Sequence, residues 1–430
     1  MLKIRCATVD ISPVTPQVLS GFAKYKRPVD KIGLKLEANI LLISRETSCH
    51  LLVSVDWLYG TQGLYRSLLE WLTEHALQKD VAVAVFASHT HFAPQTDIAK
   101  NFNRSVDDAY LQDVTRRIVS ACETLFRNDQ TPFAIVHHRP QIFDEVVYRR
   151  KHCSHFSLGR YKMNPPGIRL APDETVDIDK RIRLIGLHSL ETDELLAIIG
   201  SFSCHPVNYP VPDELSSEYP GYVRNRIQEM LNKPASPVCF FQGFSGDVRP
   251  WPTTSRHKKH SMLFRILFGP KFPGVSCGEW FGWAKRLADT VTGMLLRSDR
   301  LSREIPSRME LTTDSIPLER FLENASSGSV SIIKILLGNI HFLSIGMEAT
   351  QGLRKWIVGQ CPETEDWSFT GYVNEVHGYL PSPQQITEGG YEADGHLAEF
   401  DSGSRFHRSL TGYSALLEIV RKSIIPSSRE

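Results

Sequence analysis

The stretch His50–Pro94 reads HLLVSVDWLYGTQGLYRSLLEWLTEHALQKDVAVAVFASHTHFAP. Its opening, His50 to Asp56, is an apolar run of strand length. Leu64, Leu68, Trp71, Leu72 and His75 then recur at helical spacing, which predicts a helix over 64–77. Val81 to Ser88 is a second strand-length run. The alternation continues outward: Val114, Ile118, Cys122 and Leu125 mark a helix over 110–126, and Phe133 to His137 a further strand. Two hairpins are expected, Arg181–Leu190 with Leu195–Cys204, and Val330–Leu337 with Ile340–Ile345 across Gly338-Asn339. Ser414 to Ile425 reads as a closing helix. The order predicts an α/β fold with mixed β-sheets flanked by helices, and 430 residues are enough for one large domain or two smaller ones.

The bulk properties narrow the function. With 41% hydrophobic and 23% charged residues, the chain can bury a sizeable core. The net charge of +1 gives no electrostatic reason to expect a nucleic-acid partner. The basic run Arg256-His257-Lys258-Lys259-His260 reads as a solvated loop, within a Pro- and Lys-rich segment, Trp251–Ser276, placed as a loop over the site. The N-terminus lacks the marks of a signal peptide, and no segment offers the ~18 apolar residues of a membrane span. Eight cysteines without a CxxC pair fit reduced thiols, so a cytoplasmic location is expected.

Four places put a polar, metal-capable residue just after an apolar strand, where α/β proteins build their sites. Ser88-His89-Thr90-His91 is the first; in an extended chain His89 and His91 face the same way. They are read either as metal ligands or as buried, hydrogen-bonded histidines. Phe202-Ser203-Cys204-His205-Pro206 is the second, with His205 a further ligand or a structural residue, and Cys204 a small buried hydrophobe. Gln242–Pro250 is the third, a glycine turn carrying Asp247, which either approaches a ligand or caps a helix. The fourth is Gly346-Met347-Glu348-Ala349-Thr350, where Glu348 is either a ligand or a favourable charge at the start of the following helix.

Taken in order, these stretches resemble the neutral/alkaline (non-lysosomal) ceramidases. That family carries T-H-T-H-S-G-P, then F-x-x-H-P with a Ser-Asp pair, N-x-G-D-V-S-P, P-G-E-x-T, and a tyrosine-rich segment ending Q-x-Y-E-G. Here they read SHTHFAP, FSCHP with Ser217-Glu218, QGFSGDVRP, GMEAT, and Asn374 through Tyr379 to Gly390-Tyr391-Glu392. Asp10-Ile11-Ser12-Pro13, Gly21-Phe22-Ala23 and Ile32-Gly33 fit the family's opening. The resemblance implies that His89, His205 and Glu348 ligate zinc and that Tyr379 completes the metal site or stabilises an oxyanion, with Tyr372 available nearby. It implies His91 as proton donor or carbonyl polariser, Tyr391 near the reacting carbonyl, and Arg149 as the substrate-side arginine of the family's N-R-S-P stretch. Asp247 would orient a ligand imidazole or hold its loop.

The activity so implied is zinc-dependent hydrolysis of the amide bond of a small-molecule or lipid N-acyl substrate by a metal-bound hydroxide. A zinc esterase, or an acyltransferase running amide formation in reverse, is the alternative. A phosphoesterase or an inactive binding protein stands further off. The sequence departs from the family at GDVRPW, where the ceramidases have GDVSPN. It shows no C-terminal immunoglobulin-like domain and leaves oligomeric state open.

Overall fold

In the computed structural model the strand-length runs assemble into two stacked sheets with helices on both outer faces. The structure describes residues 1–424 apart from 22–26, 60–61, 98–105, 154–155, 159–160, 164–165, 234, 257–268, 298–299, 326 and 398–403. Phe22, Ala23, Ile425 and much of the Trp251–Ser276 segment therefore lie outside the described residues.

In chain order the elements that matter are β1 (Lys3–Asp10), β2 (Glu37–Ser44), β3 (Ser48–Val55), α1 (Gln62–His75), β4 (Asp80–Ala87), α2 (Asp108–Arg127), β5 (Thr131–His138) and β6 (Val146–Cys153). They continue with β7 (Arg181–Ser189), β8 (Leu195–Phe202), α3 (Glu218–Leu231), β9 (Val238–Gln242), β10 (Val248–Pro250), α4 (Cys277–Leu296), β11 (Met309–Pro317), β12 (Ser329–Leu337) and β13 (Ile340–Ile345). The last are β14 (Glu348–Ala349), α5 (Gln351–Gln360), β15 (Ser368–Thr370), β16 (Tyr379–Leu380) and α6 (Thr411–Ile424).

The large sheet runs β9-β8-β7-β5-β1-β2-β3-β4. It is mixed as expected: β3–β4 and β8–β9 are parallel, and the other pairs are antiparallel. The second sheet is β11-β12-β13-β15, with Gly338 at positive φ in the β12–β13 turn. Strand alternation divides the side chains between layers. Leu41 and Ile43 of β2 face the second sheet, whereas Ile40 and Leu42 face α1 and α2. Helices α3 and α4 cover the other end of the large sheet through Tyr219, Ile227, Trp280 and Trp283. Helices α5 and α6 cover the second sheet. Among the described residues no helix is long and apolar enough to cross a membrane.

Candidate active site

The C-terminal ends of β4, β8 and β9 lie together at one edge of this stack, and β14 and β16 join them. His89 lies two residues past β4. It does not reach the site by strand alternation: its φ is +65°, in the left-handed region, where a non-glycine residue is strained. Its amide donates to the Trp57 carbonyl, which holds the strained turn in place. His91 follows, and Gly21 is packed so closely that a Cβ there would lie 2.2 Å from the His91 Cβ. The Ile11–Gly21 stretch must therefore be bare at this point. His205 comes off β8, with its amide bonded to the Val248 carbonyl.

All three imidazoles are fixed in the same manner. Nδ1 of His89 lies 2.9 Å from the Leu58 carbonyl, Nδ1 of His91 2.9 Å from the Gly21 carbonyl, and Nδ1 of His205 3.1 Å from the Ser245 carbonyl. A carbonyl only accepts, so each Nδ1 carries the proton and each Nε2 of a neutral ring presents a lone pair. Those Nε2 atoms converge: His89 to His205 is 3.0 Å, and His205 to His91 is 3.1 Å. Glu348 Oε2 stands 3.4 Å from His89 Nε2 and 4.0 Å from His205 Nε2, and this buried oxygen has no closer hydrogen-bond partner among the described residues. Its other oxygen accepts from Tyr59 OH at 2.6 Å.

Burial pushes the His91 imidazole down to about 3 and, with His89 beside it, holds His205 well below the usual histidine range. Burial works to raise the Glu348 carboxyl, but His89 and Tyr59 overcome it and hold it at about 2. The His91 and His205 rings are thus kept neutral, and the Glu348 carboxylate, kept ionised, lies beside His89 and His205. Ligands held at ~2.0–2.1 Å around a tetrahedral zinc lie roughly 3.4 Å apart, close to the spacings here. The donor set fits a divalent metal, and His89, His91 and His205 all lie within reach of one ion.

The remaining predicted residues form a second cluster against the first. Tyr379 is directly opposite Glu348 in the parallel β14–β16 pair. Its hydroxyl accepts from Arg149 Nη2 at 3.0 Å. Arg149 Nε pairs with Glu392 at 2.7 Å, and its guanidinium carbon lies 5.4 Å and 5.7 Å from the Tyr379 and Tyr391 rings. The Tyr391 ring is 5.6 Å from that of Tyr379. Tyr372 occupies a different place. Its ring packs against His89 with centroids 4.1 Å apart and planes tilted by 31°, and its hydroxyl is shared with Ser245 Oγ at 3.0 Å.

Among the described residues no imidazole bonds Asp247. It accepts from the amides of Gln351 and Gly352 at 2.6 Å and 3.1 Å and from Gln385 Nε2 at 2.8 Å. It thus receives the free N–H groups at the start of α5, a helix about a hundred residues away, while Thr350 caps the next amide. The helix-start charge that sequence offered for Glu348 is supplied by Asp247, which leaves Glu348 free to face the histidines. Cys204 is buried and its thiol is pushed well up by burial, in keeping with a small apolar role.

Sequence reasoning missed Tyr59, Ser245, Glu392 and the carbonyls of Gly21 and Leu58. Glu392 was within sight, since it adjoins Tyr391 in the Y-E stretch. Tyr59 has no local signal, because its partner lies 289 residues away.

Solved structures carry the same fold. Neutral ceramidase from Pseudomonas aeruginosa superposes with a TM-score of 0.70 at 12% identity, over 100% of this chain and 76% of that one. A ceramidase complexed with C2 gives a TM-score of 0.70 at 11% identity with the same coverage. No family model matches the sequence, and no curated protein matches it. The fold is that of these ceramidases, in a strongly divergent sequence.

Proposed function

We propose that this chain, built on the fold of the neutral ceramidases, is a zinc-dependent amidohydrolase acting on an N-acyl substrate, with residues 1–430 forming one catalytic domain. The observation that carries this reading is the convergence of the Nε2 atoms of His89, His91 and His205, with a Glu348 oxygen 3.4 Å from His89 and 4.0 Å from His205. His89, His205 and Glu348 would hold the ion, with Tyr379 beside them. Zinc bound there supplies a Lewis acid and lowers the pKa of water towards ~7.

The chain's own groups do the rest. With Nδ1 held by the Gly21 carbonyl, His91 turns its Nε2 towards the site, where it would take up a proton from the attacking water and pass it to the leaving amine. The Tyr379 hydroxyl accepts from Arg149, which leaves its own proton free to stabilise the developing oxyanion, and Tyr391 flanks the same spot. Arg149 is engaged by Glu392 and Tyr379, so it acts as a positioning residue for Tyr379 rather than as a substrate contact.

The test is metal content together with hydrolysis of a panel of N-acyl amides from short acyl amino acids to ceramides. Chelation should abolish turnover and zinc should restore it. Amide cleavage that survives complete zinc removal would sink the reading.

A further inference from the structure

Arg249 occupies the position where the resembling GDVSP stretch has serine. In the antiparallel β6–β10 pair it lies opposite Val147. Residues directly opposite share a face of the sheet, and so does Arg149, two residues on from Val147. The two guanidiniums are therefore diagonal neighbours on the side that carries Tyr379 and Tyr391. Their partners differ. Arg149 is paired with Glu392. Arg249 has no carboxylate partner among the described residues. Its Nη2 donates to Asn208 Oδ1 at 2.7 Å and its carbon lies 4.8 Å over the Phe272 ring. Its Nε is buried with no hydrogen-bond partner among the described residues.

Burial, and then repulsion from Arg149, lowers the Arg249 pKa to about 10, so the group stays charged at neutral pH; Tyr379, Cys204 and Glu218 are the other groups close enough to act on it. A partly buried cation without a counter-ion is destabilising by itself.

Resting on the amide-hydrolase reading of the adjoining centre, we propose that Arg249 binds a carboxylate carried by the substrate. The substrates are then N-acyl compounds with a free carboxyl group, and neutral lipid amides are poor ones. The unpartnered Nε–H and the remaining Nη protons form a planar fork suited to a carboxylate, and Asn208 fixes its orientation.

N-octanoylglycine and its uncharged counterpart N-octanoylethanolamine test this, with wild-type protein, Arg249→Ser and Arg249→Lys. Wild type should favour the acid in kcat/KM. Arg249→Ser should shrink that preference roughly tenfold to a hundredfold, the value of a hydrogen-bonded charge pair. Arg249→Lys, which keeps the charge and loses the fork, should recover part of it. Calorimetric binding of the two compounds to the same zinc-loaded proteins separates this idea from the activity. If neither compound is cleaved but the acid binds wild type and not Arg249→Ser, amide hydrolysis falls and the carboxylate subsite stands. If both are cleaved with the same ratio in wild type and Arg249→Ser, or wild type fails to bind the acid, the carboxylate subsite is overturned.

Discussion

Replacing Asp247 by alanine should cost stability and leave the metal in place. The carboxylate receives three buried donors: the amides of Gln351 and Gly352 and the side chain of Gln385. Each hydrogen bond to a charged group contributes about 1.5–3 kcal/mol, and loss of a helix N-terminal acceptor alone costs about 0.5–2 kcal/mol. Two terms reduce the sum. Water entering the vacated space rehydrates the helix amides, and burial already disfavours the Asp247 charge, raising its pKa. A net loss of about 3–5 kcal/mol is expected for Asp247→Ala. Asp247→Asn keeps one acceptor oxygen but turns an NH2 towards a donor, so about 2 kcal/mol is expected. Urea unfolding followed by tryptophan fluorescence measures both, at fixed free zinc because bound metal adds its own stability. Zinc per folded chain should stay at the wild-type value. If Asp247→Ala strips the metal while stability moves by less than about 1 kcal/mol, the residue serves an imidazole after all and the helix-capping account is wrong.

Other outcomes follow from the same geometry. Tyr59→Phe removes the 2.6 Å bond to Glu348 Oε1 and should weaken zinc affinity about 10–100-fold in chelator competition with the fold intact; an unchanged affinity would make Tyr59 a packing residue only. Glu218 is fully buried, and burial raises its carboxyl to about 7 despite donors from Asn208, Tyr219 and Trp280. Because the folded pKa is above the unfolded one, this contribution is fully present below the unfolded value of 4.5 and is lost as pH rises through about 7. The loss is worth about 3 kcal/mol, so the stability of wild type minus that of Glu218→Gln should fall by up to that amount between pH 4.5 and 8; a flat difference refutes the assignment.

How far the sequence could be read depends on the range of the forces involved. The β3–α1–β4 unit, α2, β5 and both hairpins lay within a residue or three of their predicted limits, because one apolar period decided each of them. β1 was not anticipated: its residues are mostly half-buried, so KIRCATVD shows no clean alternation. α3 was hidden by Pro220 and Gly221 in its first turn and by the left-handed Glu218 that starts it. α4 had a legible start, since Ser276 and Glu279 form a capping box. At the site, strand ends pointed to His89, His205 and Glu348. Residues that arrange them across long sequence distances, such as Tyr59 behind Glu348 and Gly21 under His91, leave no local pattern to read.

The central claim is that one ion sits among His89, His205 and Glu348, and anomalous diffraction at the zinc edge tests it most directly. Crystals grown with zinc should show a single strong peak at ~2.0–2.2 Å from Nε2 of His89, Nε2 of His205 and Oε2 of Glu348. A peak elsewhere, or none between these side chains, would contradict it.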